Sequence, residues 1–257
     1  MSKNNIKQSK LILGQRVDYT TYKLAVDEII SFSKNQTSSY ICASNVHMVM
    51  ESYDNKKFQN IVNNADIITP DGMPLVWTLK LMGINKAQRV YGPKLMIELL
   101  KICAQKNIPI GLYGGKKEVL DKLIKKLAKE FKGLHISYAY SPPFRKLSNQ
   151  EVKEVISNIK MSKCNIVFVG LGCPKQEVWM AENSSYLQMP LIGVGAAFDF
   201  LSDAKKQAPI FIQNLGLEWF FRLCTEPKRL FFRYFYHNPR FIYYVLKQFL
   251  NDKYNYN

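Results

Sequence analysis

The sequence contains no run approaching the roughly 18–20 consecutive apolar residues that a membrane-spanning helix requires, and no basic stretch followed by an apolar one opens it. The expectation is a chain that is neither secreted nor integral to a membrane. Paired cysteines are also missing. Cys42, Cys103, Cys164, Cys173 and Cys224 lie far apart, with no Cys-x-x-Cys spacing, which points away from a disulfide framework or zinc knuckle and toward reduced cytoplasmic thiols. His47, His135 and His237 are too scattered along the chain to suggest a metal centre. Acidic residues are scarce: 20 Asp and Glu stand against 36 Lys and Arg, a formal charge of +16. A soluble protein has little need of such an excess, so it implies an anionic partner, either nucleic acid or anionic lipid.

What is present is a folding composition. A content of 47% hydrophobic and 22% charged residues, without repeats or low-complexity tracts, predicts a globular chain. A length of 257 residues suffices for one large α/β domain or two small ones, with roughly 70–75% of the extended-chain surface buried. Only residues 1–10 and 251–257, polar and aperiodic, are expected to lie loose.

Between residues 11 and 218, short β-branched runs alternate with helical segments, the pattern of a sheet covered by helices. Residues 108–113, 164–170 and 189–194 each run apolar into glycine, as a buried parallel strand entering a βα turn does. In residues 117–132, Val119, Leu120, Leu123, Ile124, Leu127 and Phe131 recur at three- and four-residue spacing, so one helical face is buried and the lysines occupy the other. Near Leu217 the alternation stops. From Arg222 to Lys247, six basic residues (Arg222, Lys228, Arg229, Arg233, Arg240, Lys247) face a single acid, Glu226, and are interleaved with Phe231, Phe232, Tyr234, Phe235, Tyr236, Phe241, Tyr243 and Tyr244. The predicted organisation is an α/β core over residues 1–216 and a basic-aromatic appendage over 217–257.

Three strand ends carry glycine turns. In Gly170-Leu171-Gly172-Cys173-Pro174-Lys175-Gln176 a strand leads into a helix whose first turn accommodates Pro174. There the free backbone amides and the helix dipole favour an anion, and Lys175 and Gln176 add side-chain donors. A tight turn that binds nothing explains the same residues. Gly114-Gly115 and Gly193-Val194-Gly195 repeat the arrangement, and ligands of open α/β sheets bind at the carboxyl ends of strands. The combination favours a nucleotide site, although it lacks the third glycine and the distant acid of a dinucleotide fingerprint. Phe198 and Asp199 are candidates to hold a base or ribose, with an ordinary helix cap as the alternative for Asp199. Tyr140, in a proline-rich loop, could stack a base or serve packing.

A second block is Asp71-Gly72, a turn between residues 67–68 and a helix opened by Pro74. Taken alone, Asp71 reads as a turn residue before it reads as a catalyst. Asn45 follows the strand at 40–43, and Arg89 precedes Tyr91-Gly92-Pro93. An Asp, an Asn and an Arg at separate strand ends could converge on a sugar hydroxyl. No Asp-x-Asp occurs, so the carboxylate pair that usually holds a divalent cation on a sugar-nucleotide diphosphate is lacking. Metal-independent chemistry without a cofactor is the expectation.

Taken in order, Asn45-Val46-His47, Thr69-Pro70-Asp71-Gly72-Met73-Pro74, Gln88-Arg89-Val90-Tyr91-Gly92, the Gly170–Glu177 block, Gly193–Asp199 and Leu217-Glu218-Trp219 resemble the WecG/TagA/CpsF glycosyltransferases of bacterial cell-envelope polysaccharide and teichoic acid synthesis. The resemblance runs from about Leu11 to Leu250. It implies a Rossmann-like core and inverting transfer from a UDP-sugar, often of N-acetylmannosamine, to an undecaprenyl-diphosphate-linked sugar. It also implies a peripheral position at the inner face of the cell membrane, reached through the appendage. On this likeness Asp71 is the general base, Asn45, Arg89 and Gln176 occupy pocket positions, and Arg222 and Arg229 meet the acceptor diphosphate. The members' frequent Thr two places before the Asn is here Ala43, so its hydroxyl contact is lost or falls to Ser44. The rival reading is a nucleic-acid-binding or modifying protein, since interleaved Arg and aromatic residues also suit phosphates and bases. The confinement of those residues to the tail favours a membrane surface. A homo-oligomer is compatible with the sequence, which names no interface.

Overall fold

The computed structural model describes residues 8–254. The chain opens with a hairpin, β1 (Ser9–Ile12) and β2 (Gln15–Asp18), followed by α1 (Tyr22–Lys34). Then come β3 (Ser39–Ser44), α2 (Val46–Asp54), α3 (Lys56–Asn63), β4 (Ile67–Pro70), α4 (Met73–Leu81) and α5 (Gly92–Gln105). The second half of the core is β5 (Ile110–Gly114), α6 (Lys117–Glu130), β6 (Ile136–Tyr140), α7 (Asn149–Met161), β7 (Ile166–Gly170), α8 (Lys175–Asn183) and β8 (Pro190–Gly193). Four helices follow: α9 (Ala197–Leu201), α10 (Ile210–Asn214), α11 (Glu218–Thr225) and α12 (Pro227–Tyr254). Six strands form one sheet in the order β4-β3-β8-β7-β5-β6, every neighbouring pair parallel. This is the Rossmann-like α/β core that the sequence implies.

Alternation along the strands builds a core on each face of the sheet. In β7, Ile166 and Phe168 join Ile29, Leu99 and Leu123 on one side. Val167 and Val169 join Phe58, Ile156 and Met180 on the other. Val119, Leu120, Leu123 and Leu127 of α6 are buried as their spacing predicts, while Ile124 and Phe131 are partly covered. Side chains fix several helix starts: Thr21 caps α1, and Ser148 with Glu151 closes a capping box on α7.

Two expectations change. Residues 1–10 are not uniformly loose, because Ser9 and Lys10 pair with Asp18 and Val17 in the hairpin; residues 1–7 and 255–257 lie outside the described residues, and residues 251–254 continue α12. The tail is also more than an attachment. Phe241 and Val245 of α12 are buried in a third core with Ile12, Val17, Val49, Met50, Leu75 and Leu79. Gln248 clamps the hairpin as well, accepting from Leu13 N and donating to Leu11 O, both at 2.9 Å. The far half of the final helix is thus core-packed, whereas Phe232 and Phe235 nearer its start are 80% and 73% exposed.

Candidate active site

Parallel strands present all their carboxyl ends on one edge, and the candidate residues collect there. Asp71 follows β4, its amide donating to Ser44 O at the end of β3 at 2.8 Å. Its carboxylate sits over the start of α5, where Gly92 N–H donates to Oδ2 at 3.4 Å. A Cβ on Gly92 would lie 3.6 Å from Asp71 Oδ2 and 3.5 Å from Val194 O, in ordinary contact with both, which places the carboxylate next to the end of β8. Asp71 therefore shares the strand edge with the Gly195 turn. With 16% of its side chain accessible, burial pushes the carboxyl up to about 6; the Arg89 charge opposes this shift and Glu218 adds to it.

Arg89 ties this corner together. Its Nε donates to Asp71 O, and its Nη2 lies 3.4 Å from Asp71 Oδ1 and 2.6 Å from Glu218 Oε2. The guanidinium also lies over the Tyr91 ring, 4.1 Å from its centroid. Asn45 caps α2 by accepting from Met48 N at 3.3 Å, and its Cβ is 3.5 Å from where a Cβ on Gly72 would be. Next to these groups opens a cavity of about 800 Å³. Asn45, Asp71, Arg89, Glu218, Arg222 and Arg233 line its polar part. Trp77 and Leu81 of α4 face Trp219, Phe231, Phe235 and Leu246 of α11 and α12 across its apolar part. Arg222 Nε is buried without a hydrogen-bond partner. Burial lowers the pKa of Arg233, with Arg222 and Arg229 adding to the shift. Largely buried guanidinium groups beside an apolar trough suit an amphiphilic anion.

The glycine turns divide into two kinds. A Cβ on Gly114 would meet Gly170 backbone at 2.6 Å, and one on Gly170 would meet the Phe198 ring at 2.8 Å, so these two glycines let neighbouring turns touch. Gly172 and Gly195 have φ of +79° and +54°. A Cβ on either would meet no atom within 4 Å, and a ligand has room over both. Their N–H groups both donate to Gln176 Oε1, at 3.2 and 3.1 Å. Gln176 is 3% exposed and staples the β7 turn to the β8 turn.

The amino-acid sequence matches the Glycosyl transferase WecG/TagA/CpsF family over residues 10–255. The chain belongs to this family. It is a glycosyltransferase. It is similar to the N-acetylglucosaminyldiphosphoundecaprenol N-acetyl-beta-D-mannosaminyltransferase of Bacillus spizizenii, 32% identical over 210 residues that cover 81% of this chain and 79% of the relative. The Staphylococcus aureus protein of the same name is 30% identical over 222 residues, 85% of each chain.

Within this WecG/TagA/CpsF glycosyltransferase, Asn45, Asp71, Arg89 and Arg222 meet at the cavity as candidates, while Gln176 lies beneath the turns. Arg229 points away from the cavity, half exposed and paired with Glu226 at 2.7 Å; Arg233 occupies the wall instead. Ser44 supplies no hydroxyl to the site, because its Oγ is buried and accepts from Gln15 Nε2 at 2.7 Å. Phe198 is 2% exposed and fills the space against Gly115 and Gly170, leaving no ring face for a base. Asp199 pairs with Lys205 at 2.9 Å. Pro174 caps α8, with Lys175 exposed beside it. Tyr140 is the accessible end of a ring stack, parallel to Tyr113, which lies 4.3 Å from Trp179. Sequence reasoning gave no role to Glu218 or Arg233; an acid and a base within the basic-aromatic tail were the available signals. It also separated His47 from His237, whose ring centroids are 5.0 Å apart once α12 packs on α2.

Proposed function

We propose that this glycosyltransferase moves N-acetylmannosamine, or a related hexose, from a UDP-sugar to a hydroxyl of an undecaprenyl-diphosphate-linked sugar, with inversion and without a metal on the donor diphosphate. The product class is an envelope polysaccharide or teichoic acid precursor. The observation that carries this reading is the position of Asp71, at the joint between the cationic, apolar-walled cavity and the strand edge bearing Gly172 and Gly195. Similarity to the two mannosaminyltransferases supports the acceptor class and the sugar.

In the proposed step, the carboxylate of Asp71 takes the proton of the acceptor hydroxyl as its oxygen bonds to the anomeric carbon. The bond from that carbon to the diphosphate oxygen breaks, and UDP leaves with the electron pair. A carboxyl pushed to about 6 is ionised at neutral pH yet more basic than a free one, the compromise a general base needs; such a base contributes typically about 10²–10⁴-fold. With the Gly172 and Gly195 amides occupied by Gln176, the charge on departing UDP falls to the exposed Lys175 side chain at the start of α8. Tyr140, Gly114, Gly115 and Asp199 border the same edge for the nucleoside. Arg222 and Arg233 receive the acceptor diphosphate, and the trough from Trp77 to Leu246 receives its first isoprene units.

No helix among the described residues is long and apolar enough to cross a membrane. Exposed Phe232, Phe235 and Tyr236 beside Lys228 and Arg229 suit peripheral docking on an anionic leaflet, where each cation is worth about 1 kcal/mol and aromatic rings sit at the interface. The deciding assay offers a panel of UDP-sugars with a lipid-diphosphate N-acetylglucosamine analogue and follows UDP release. Acceptor-dependent turnover with UDP-N-acetylmannosamine supports the assignment; turnover with no UDP-sugar, or turnover indifferent to the acceptor, removes it.

A further inference from the structure

His47 and Glu51 stand one turn apart on α2, and His237 reaches the same spot from α12. We infer that these three side chains form a binding site for one divalent first-row transition ion, zinc being the ion this donor set suits best, that fastens the final helix to the core.

The spacing is that of ligands, not of hydrogen-bonded partners. Glu51 Oε1 lies 3.6 Å from His47 Nδ1 and 3.7 Å from His237 Nε2, beyond hydrogen-bond range. All three donor atoms fall within 4.8 Å of one another. Two ligands bound at about 2.0–2.1 Å to a tetrahedral ion are separated by about 3.4 Å. The carboxylate therefore closes on either imidazole by a few tenths of an ångström, and the two imidazole nitrogens, no more than 4.8 Å apart, close on each other by up to about 1.4 Å.

Hydrogen bonding at His47 points the same way independently. Its ring bonds to the Cys173 backbone, while Nδ1 is buried and has no hydrogen-bond partner. Nε2–H accordingly donates to the Cys173 carbonyl, which leaves the Nδ1 lone pair aimed at the Glu51 carboxylate. Two acceptors facing each other repel unless a cation lies between them. An imidazole whose second N–H is fixed by a backbone carbonyl is the usual posture of a metal-binding histidine. Arg233 faces both histidines, and Arg240 and Asp54 also lie near His237. Arg240 is neutralised by Asp54 at 2.6 Å, and the Glu177 carboxyl lies within electrostatic range of Arg233.

Two imidazoles and one carboxylate match zinc and its neighbours, whereas magnesium and calcium require oxygen donors throughout. Because His47 and His237 also line the cavity, the ion would hold α12 over it. The ion takes no part in the proton transfer at Asp71, so the inference stands apart from the donor and acceptor assignment.

The test uses full-length protein stripped with a chelator and titrated with Zn²⁺ by calorimetry. Uptake of one ion per chain is expected, with affinity lower by more than about 100-fold in Glu51→Gln and in His237→Gln, beyond the 10–100-fold that loss of a supporting hydrogen bond costs. His135→Gln, altering an exposed histidine, should bind as wild type does, and Zn²⁺ should raise the melting temperature of the wild-type chain. Absence of stoichiometric uptake, or unchanged uptake in both ligand variants, overturns the site. Should the variants fail to fold, Co²⁺ added to the wild-type chain decides: an intense visible absorption from four-coordinate cobalt supports it, and the weak spectrum of hydrated cobalt refutes it.

Discussion

Arg89 holds Glu218 of α11 at 2.6 Å and Asp71 at 3.4 Å with the same nitrogen, so the first residue of a tail helix sets the charge at the candidate base. Glu218 competes for the guanidinium and repels the Asp71 carboxylate, and both effects raise the Asp71 pKa. Glu218→Gln removes the repulsion and leaves Arg89 to Asp71. The acidic limb of kcat/KM against pH, which should lie near the wild-type value of about 6, moves to lower pH in this variant. A limb that stays in place, or rises, contradicts the coupling.

Asp71→Asn separates catalysis from stability. The loss of the base should lower kcat by about 10²–10⁴-fold with donor binding retained. The folded-state pKa, about 6 against 3.8 unfolded, means that the native state prefers the protonated carboxyl. That contribution is complete below the unfolded value and is lost as pH rises through about 6. At pH 7.5 the ionised group costs on the order of 3 kcal/mol, so the asparagine variant should melt no lower than wild type. Scanning calorimetry at pH 7.5 measures this, and a large drop in melting temperature assigns Asp71 to the scaffold.

Gln176→Ala tests whether that residue is a staple. Its removal leaves the part-buried Gly172 and Gly195 amides without their acceptor, and an unsatisfied donor costs about 1–3 kcal/mol where water cannot reach it. Denaturant unfolding should show a loss of about 2 kcal/mol or more. A variant of native stability that has lost only sugar affinity returns Gln176 to direct substrate contact.

Glu177 carries a pH signature of its own. It is fully buried beside Gln176, Cys173 and Arg233, and burial pushes its carboxyl to about 7 from 4.5. The raised value means that this group's contribution to stability is complete below pH 4.5 and falls as pH climbs to about 7, by on the order of 3 kcal/mol. Glu177→Gln, which keeps the shape without the charge, should flatten the difference between unfolding at pH 5 and pH 8. Identical pH dependence in the two chains would place the titrating group elsewhere.

Much of this architecture was legible because parallel strands buried on both faces read as apolar runs, and 164–170 differs from β7 only at its first two residues. Asp71, Asn45 and Arg89 were legible as strand-end residues for the same topological reason. Gln176 was not, since a polar residue after a glycine turn looks alike whether it faces a ligand or bridges two turns. The separation of Arg229 from Arg233 depends on which side of α12 meets the cavity, and the basic pattern alone leaves that open. His47 and His237 meet only through packing of Phe241 and Val245 into the third core, a long-range contact that no local spacing encodes. The β1–β2 hairpin escaped because its four-residue strands are polar at their start.

The final helix carries two jobs on one element, and they can be separated. Truncation near residue 215 would strip Phe241 and Val245 from the core and confound docking with unfolding. Phe232→Ser with Phe235→Ser alters only rings that are 80% and 73% exposed, so the melting temperature should stay near wild type. On vesicles of anionic lipid each buried ring contributes apolar area at about 25 cal/mol per Å², and losing two should weaken co-sedimentation by at least tenfold, more clearly at high salt, where the attraction of the cations is screened. Vesicle binding unchanged at every salt concentration would show that these rings do not insert into the leaflet, and the membrane contact would then have to lie on another surface.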